Sequence, residues 1–193
     1  MIRQGLLVFA DGRRQLNIRV DGRSLLERGI RTMARAGIKY LQILVPDGPP
    51  PTLSRIVENL DLDIEFLFWG TAPPPATAPQ EDFLLLLGDY VHHHSSLQAL
   101  VKNGLGNQDL VVQIGNPDQQ NLLQAVSVTA ASLDFGEITD PGTQASTGAF
   151  LCSADLFSPA DLAATAATPL EFLRTKVVGR QIVLSKEPLP LWH

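Results

Sequence analysis

Short apolar runs separated by segments with helical periodicity make up the first half of the chain. The runs at residues 6–10, 40–45 and 64–69 have the length of buried strands. Two segments between them, 24–37 and 52–60, repeat apolar residues every three to four positions, as amphipathic helices do. Strands that alternate with helices through short connections form βαβ units. We therefore expect a parallel sheet with right-handed crossovers.

The first predicted helix has clear start and stop signals. Ser24 is followed three residues later by Glu27, which is the capping-box pattern of a helix N-terminus. The apolar periodicity continues to Gly37, a residue type that readily adopts the left-handed conformation at a helix C-terminus. The second predicted helix, residues 52–60, should bury one face, formed by Leu53, Ile56, Val57 and Leu60.

Residues 84–91 contain four consecutive leucines followed by Gly88 and Asp89. An apolar run without polar alternation is typical of a parallel strand that is buried on both faces. In an open α/β sheet, ligands bind just beyond the carboxyl ends of such strands. Asp89 is therefore a candidate ligand for Mg²⁺, which prefers oxygen ligands. The alternative is that Asp89 caps the following turn or helix.

Residues 71–79, which precede this strand, include four prolines and are predicted to form a surface connection. After residue 91 the pattern changes, and we expect a short helix at 97–101 and a strand at 110–114. Alternation at 126–138 indicates antiparallel strands, and the apolar segment 150–157 predicts another strand.

Two helix starts follow, at Ser158 and Thr168, each with a proline next and an acidic residue in the first turn. A last apolar run, residues 181–184, predicts a final short strand. Together these elements predict a three-layer α/β/α sandwich with a mostly parallel central sheet and an antiparallel excursion in its second half. We expect one domain that spans residues 1–193.

Composition and charge narrow the classes of function. Fifteen basic and 20 acidic residues give a net charge of −5, which argues against a nucleic-acid partner. The single cysteine, Cys152, lies in an apolar segment, so a disulfide framework is not expected and a cytoplasmic location fits best. No apolar run has the length of a signal-peptide core or a membrane span, so we expect no membrane partner for this chain.

Four segments, in their order and spacing, resemble the nucleotidyltransferase family with a GT-A-like fold. Residues 20–28, Val-Asp-Gly-Arg-Ser-Leu-Leu-Glu-Arg, are similar to the family's segment after its catalytic lysine. Residues 84–90 are similar to the strand that ends in its magnesium-binding aspartate. Residues 147–157 fit its TGxFxxxxxxF strand, and Trp192 stands where the family has a tryptophan near its end. The nearest branch is that of the sugar-phosphate and inositol-phosphate cytidylyltransferases.

The resemblance implies nucleotidyl transfer from a nucleoside triphosphate to a small phosphorylated sugar or polyol, with Mg²⁺ held by Asp89. In the family, glycines let backbone N–H groups approach the triphosphate, and cationic side chains neutralise its charge. Carried onto this chain, the resemblance implies two catalytic residues, Arg14 and Asp89, and five nucleotide-binding residues, Ala10, Asp11, Gly12, Arg13 and Gly88.

The phosphate loop departs from the family pattern. Ala10 replaces the first glycine, Asp11 adds a negative charge, and Gln15 stands at the position of the lysine. The loop is also several residues shorter, and the sequence ends before the family's second metal-binding aspartate. Losing one fixed cationic or oxyanion-type contact typically lowers the rate about 10²–10³-fold. The competing hypothesis is therefore a catalytically degenerate relative that acts as a nucleotide-binding or protein-interaction module.

Two further features leave alternatives open. Arg13, Arg14 and Arg19 are candidates to replace the missing positive charge, and the alternative is that they are solvated surface residues. The three histidines at 92–94 do not favour a zinc site, because adjacent residues on a loop cannot easily face one ion. One of them is instead a candidate contact for an acceptor phosphate. A homodimer is compatible with this sequence.

Overall fold

A computed structural model describes residues 2–9, 16–48, 50–71, 81–88, 90–115, 125–129, 132–136, 144–177 and 182–186. In these ranges the strands are β1 (Gln4–Val8), β2 (Arg19–Val20), β3 (Arg23–Ser24), β4 (Tyr40–Val45), β5 (Asp63–Phe68), β6 (Phe83–Leu87), β7 (Leu110–Gly115), β8 (Ala125–Thr129), β9 (Ser132–Gly136), β10 (Gln144–Cys152) and β11 (Ile182–Lys186). The helices are α1 (Leu25–Ala36), α2 (Arg55–Glu58), α3 (His94–Asn103), α4 (Pro159–Ala164) and α5 (Pro169–Val177).

The main sheet has the strand order β11-β7-β10-β6-β1-β4-β5. Neighbours along this order are parallel except at β10, which is antiparallel to both β6 and β7. Strands β8 and β9 pair with each other, and β8 extends the sheet through β10. The mostly parallel sheet with an antiparallel excursion in the second half is therefore confirmed.

Helices cover both faces of this sheet. Alternate residues of β6 belong to two separate hydrophobic clusters, as the two-residue period of a strand requires. Leu84 and Leu86 join the cluster under α1 and α3, whereas Phe83 and Leu85 join the one under α4 and α5. Full burial of such a side chain contributes about 1.5–3 kcal/mol. The three-layer arrangement is confirmed.

The predicted helix signals act through the hydrogen bonds expected of them. Ser24 Oγ accepts a bond of 3.1 Å from the Glu27 N–H, and Gly37 ends α1 with φ at +97°. At α4, Ser158 and Asp161 cap each other reciprocally at 3.1 and 3.2 Å. These caps satisfy N–H groups that have no partner within the helix.

Several boundaries differ from the prediction; for example, the helix expected at 97–101 is His94–Asn103 and the strand expected at 6–10 is Gln4–Val8. The helix expected at 52–60 is only the single turn of α2, and Ile56, a member of its expected buried face, is 62% exposed. The apolar residues on either side of that turn still pack on the core from outside a helix, so periodicity alone overestimated the length. The strand expected at 150–157 is Gln144–Cys152. The strand ends at Cys152 because a turn begins at Ser153, whose Oγ accepts from the Asp155 N–H.

The surface connection predicted at 71–79 falls mostly outside the described residues. No helix in the described ranges combines the length and apolarity needed to cross a membrane.

Candidate functional site

The carboxyl ends of three neighbouring strands lie level with one another. Val8 pairs with Leu44 of β4 on one side and with Leu87 of β6 on the other. Segments that follow these strands therefore leave the sheet at the same edge, where an open α/β sheet binds ligands. Most of the predicted site residues that follow β1 and β6 lie outside the described residues and stay predictions, namely Ala10, Asp11, Gly12, Arg13, Arg14 and Asp89.

Both ends of the predicted phosphate loop are fixed in the core. The Phe9 N–H donates to the Leu44 carbonyl at 3.0 Å, and the Phe9 side chain is 1% exposed. After the loop, Leu16 is again buried in the same cluster as Phe9. The two described residues that flank the predicted loop, Phe9 and Leu16, therefore both belong to the core.

Of the predicted nucleotide-binding residues, Gly88 is the one that lies within the described ranges. Its N–H donates to the Val8 carbonyl at 2.7 Å, which extends the pairing of β6 with β1 by one residue. A Cβ atom at this position would lie 2.7 Å from Phe9 Cδ1 and closer still to other atoms of that ring. Glycine is therefore required here by the packing of Phe9, and contact with a nucleotide stays a prediction for this residue.

The segment after β6 folds back onto the end of the strand. The Tyr90 N–H donates to the Leu87 carbonyl at 3.3 Å, and His92 Nε2 lies 3.3 Å from the same oxygen. Burial lowers the pKa of His92 to about 4, against the smaller opposing effect of that hydrogen bond. His92 is therefore neutral at pH 7, and a neutral imidazole offers no charge to a phosphate.

The other two histidines have different surroundings. His93 Nδ1 lies 2.7 Å from Ser95 Oγ, and the His93 and His94 rings are tilted against each other with centroids 4.7 Å apart. The ring nitrogens of His92 and His93 thus engage different partners. Within the described ranges, no group of three or more His, Cys, Asp or Glu side chains is placed to hold a metal ion.

An irregularity in β10 brings the predicted Thr-Gly pair to the same edge. Ser146 pairs with Ile114 and Phe150 with Val112, so residues 147–149 face a single residue of β7. Gly148 has φ at +78°, in the left-handed region that favours glycine. A Cβ there would lie 2.8 Å from Tyr90 Cδ2, so the Tyr90 ring packs directly on this glycine.

The residue of β7 opposite this bulge is Gln113, which sequence reasoning missed. Thr147 Oγ1 donates to Gln113 Oε1 at 2.9 Å, and Gln113 Nε2 donates to Ser96 Oγ at 2.8 Å. All three side chains are buried. The available signal was the lone amide in the apolar run Leu-Val-Val-Gln-Ile, because a polar side chain in a central strand must find a partner.

Two of the arginines near the N-terminus are engaged by backbone carbonyls of the β2–β3 hairpin. Arg28 Nε and Nη2 donate to the Val20 carbonyl at 2.8 and 2.5 Å, and Nη2 also meets Asp21 Oδ2 at 2.9 Å. Arg19, a candidate phosphate ligand, is exposed and donates to the Gly22 carbonyl at 3.4 Å. Arg28 thus fixes the hairpin between the predicted phosphate loop and α1, and the phosphate role of Arg19 stays a prediction.

Solved nucleotidyltransferase structures share this fold. The inositol-1-phosphate CTP transferase from T. maritima matches with a TM-score of 0.68 at 13% identity, over 96% of this chain and 85% of that one. A UDP-glucose pyrophosphorylase complexed with UDP-glucose matches with a TM-score of 0.65 at 14% identity, over 96% and 90%. The 4-diphosphocytidyl-2C-methyl-D-erythritol synthase from Anaerococcus prevotii matches with a TM-score of 0.60 at 14% identity, over 97% and 90%.

Comparison of the sequence alone finds no matching protein-family model and no matching curated protein. At identities of 13–14%, the structural likeness establishes the fold. Because one fold hosts different functions, the activity has to be argued from the carboxyl edge of the sheet.

Proposed function

We propose that this chain transfers a nucleotidyl group from a nucleoside triphosphate to a small phosphorylated sugar or polyol. A phosphate oxygen of the acceptor attacks the α-phosphorus in line with the bond to the β-phosphate. The new phosphorus–oxygen bond forms as the bond to the bridging oxygen breaks, and the electron pair leaves with pyrophosphate. The protein's task in such a reaction is to position the two substrates and to stabilise the charge on the leaving group.

The observation that carries the proposal is the arrangement of the carboxyl edge. The end of β1, which leads into the predicted phosphate loop, and the end of β6, which leads into Asp89, are held together by the packing of Phe9 on Gly88. The bulge at Gly148 lies at the same edge, because Ala149 pairs with Leu86. The solved structures that share this fold, one of them complexed with UDP-glucose, support a nucleotide or nucleotide-sugar as the kind of ligand.

The proposed roles follow from residue chemistry. Asp89 is the proposed Mg²⁺ ligand, since its carboxylate supplies the oxygen atoms that this ion prefers. A bound Mg²⁺ would neutralise phosphate charge and orient the phosphate groups. Arg14 and Arg13 are proposed to meet the phosphates from the loop after β1, with backbone N–H groups from Ala10 to Gly12 nearby.

The second candidate function is binding of a nucleotide, or only of a partner protein, without turnover. Gln15 favours it, because this residue stands where the related enzymes carry a lysine and because an amide cannot neutralise a phosphate. The additional negative charge of Asp11 points the same way. The two candidates differ in whether pyrophosphate is released.

A thermal-shift panel with CTP, UTP, GTP and ATP, each with and without Mg²⁺, tests nucleotide binding. A ligand present at 100 times its Kd adds about 2.7 kcal/mol of stability, which is about 5–11 °C for a chain of this size. We expect one nucleotide to raise Tm in a Mg²⁺-dependent manner. No shift with any of the four nucleotides would rule out a nucleotide site.

Pyrophosphate release in the presence of sugar and polyol phosphates then tests turnover. Asp89→Asn should abolish release, because the amide removes the anionic metal ligand while keeping the side-chain shape. Asp82→Asn is the matched control, since Asp82 precedes β6 at its opposite end, where it accepts a bond of 3.1 Å from the Ala154 N–H. Equal activity of Asp89→Asn and wild type would refute the metal role, and binding without release would favour the second candidate.

A further inference from the structure

Gln113 uses its buried amide to connect two distant parts of the chain. Its Oε1 accepts from Thr147 in the β10 bulge, and its Nε2 donates to Ser96 in the first turn of α3. The side chain is 2% exposed, so water does not replace either partner. Gln113 is also the only residue of β7 that faces the three bulged positions 147–149.

The orientation of this amide is fixed by its partners. The Thr147 hydroxyl donates to the amide oxygen, which leaves the amide NH₂ group to face Ser96, where the Ser96 carbonyl also lies 3.4 Å from Nε2. Replacing Gln113 by an apolar residue would leave buried polar groups of both neighbours without this partner. The bond chain therefore holds the start of α3 at one position relative to the bulge.

A second contact joins the same two regions. The Tyr90 ring packs on Gly148, which admits it only because it has no side chain. The segment from Tyr90 to Ser96 is thus held against β10 at both of its ends, by a ring contact and by the Gln113 amide. Asp89 directly precedes this segment in the sequence.

We propose that Gln113 is a positioning residue that fixes residues 90–96 against the β10 bulge and so holds the segment that directly follows Asp89, the proposed Mg²⁺ ligand. The consequence for activity rests on the proposed nucleotidyl transfer. Gln113 itself contacts no substrate in this scheme. Its effect passes through Ser96 and Thr147, and a loss of this bond chain should raise the Mg²⁺ concentration that turnover requires.

Gln113→Met tests the proposal, because methionine keeps the length of the side chain and removes both hydrogen-bonding groups. Gln42→Met is the matched control. Gln42 is 4% exposed in the central strand β4, and its Nε2 donates to Glu65 Oε2 at 2.7 Å on the opposite face of the sheet. Both variants lose a buried amide, but only Gln113→Met disconnects Ser96 from Thr147.

Amide hydrogen exchange of residues 90–96 is the first measurement, made on the wild type and on both variants. We expect exchange in this segment to be about tenfold faster in Gln113→Met and unchanged in Gln42→Met. Thr147→Val should reproduce the acceleration with a smaller change in the core, and Thr147→Ser, which keeps the hydroxyl, should restore slow exchange. Wild-type protection in Gln113→Met, or equal loosening by Gln42→Met, would overturn the positioning role.

Steady-state transfer kinetics provide the second measurement. We expect Gln113→Met to raise the Mg²⁺ concentration for half-maximal turnover about tenfold, whereas Gln42→Met stays within about twofold of wild type. A uniform loss of active protein would instead lower kcat alone and overturn the role beside the proposed metal ligand. If the wild type releases no pyrophosphate with any nucleotide, the proposed function fails and this role fails with it, whereas the exchange data still decide whether Gln113 positions the segment.

Discussion

Substitution of Gly88 by alanine tests how tightly the carboxyl edge of the sheet is packed. A Cβ at this position would lie 2.7 Å from Phe9 Cδ1, with two further ring atoms closer. Neither residue of this contact can move easily. The Phe9 ring is rigid and 1% exposed, and the Gly88 N–H is hydrogen-bonded to the Val8 carbonyl. One added methyl group must therefore displace a buried ring or separate β6 from β1.

The expected cost follows from overpacking alone. Gly88 is not among the residues with positive φ, so alanine adds no backbone strain of that kind. Inserting a methyl group into a filled core typically costs about 1–3 kcal/mol, and the sub-contact distances place Gly88→Ala toward the upper end. For a chain of 193 residues this corresponds to roughly 2–4 °C in Tm per kcal/mol.

Urea unfolding of a double-mutant cycle with Phe9→Leu isolates this contact. Phe9→Leu removes the ring, so Gly88→Ala should cost less in its presence, with a coupling of about 1–2 kcal/mol. Gly29→Ala is the control, because its Cβ would also lie close to a core side chain, with Leu7 Cδ2 at 2.8 Å, but its three nearest atoms all belong to Leu7 and not to Phe9, so its cost should not change with Phe9→Leu. Additive costs for Gly88→Ala and Phe9→Leu would refute the packing argument.

Three further predictions concern the pH dependence, the cysteine and the second core cluster. Because burial lowers the pKa of His92 to about 4, the unfolded chain binds more protons than the folded protein between pH 6.5 and 4, so the free energy of unfolding should fall by up to about 3 kcal/mol as the pH drops through this range. Equal pH dependence in His92→Gln and wild type would contradict this cause. Burial raises the pKa of the Cys152 thiol above its usual range, so it should react with a disulfide reagent only in denaturant; rapid reaction of the folded protein would disprove its inaccessibility. Phe157 is 4% exposed and meets Phe83 and Phe172 edge to face at 5.3 and 5.6 Å, so Phe157→Ala should cost about 3–5 kcal/mol in urea unfolding, and a cost below 1 kcal/mol would contradict the packing described.

The layered sheet could be predicted from sequence because its signals are local and physical. Buried parallel strands appear as continuous apolar runs, and the caps at Ser24, Ser158 and Thr168 mark helix starts through hydrogen bonds within three residues. The exposed Ile56 shows that apolar periodicity does not determine the length of a short helix. The spacing of apolar residues at 52–60 fits a helix of one turn as well as a longer one.

Interactions between residues far apart in sequence could not be predicted in the same way. Gln113 and Thr147 are separated by 34 positions, and nothing local indicates that a threonine hydroxyl will satisfy that amide. Gly88 was identified by its place after a strand, but its packing partner Phe9 became evident only from the pairing of β1 with β6. The histidines at 92–94 illustrate the same point, because ring orientation depends on the turn that follows β6.

The position of β10 has a consequence for synthesis of the chain on the ribosome. Among the described strands, β7 and β11 reach the rest of the main sheet only through β10, which is made after β7 but lies between β7 and β6. The edge of β6, Phe-Leu-Leu-Leu-Leu, therefore stays unpaired until about 65 further residues have been added, or roughly 3–13 s at typical elongation rates. An apolar strand with a free edge is a site of intermolecular pairing. The nascent chain is thus most prone to aggregate in this interval, and the pairing of β10 with β6 closes that edge.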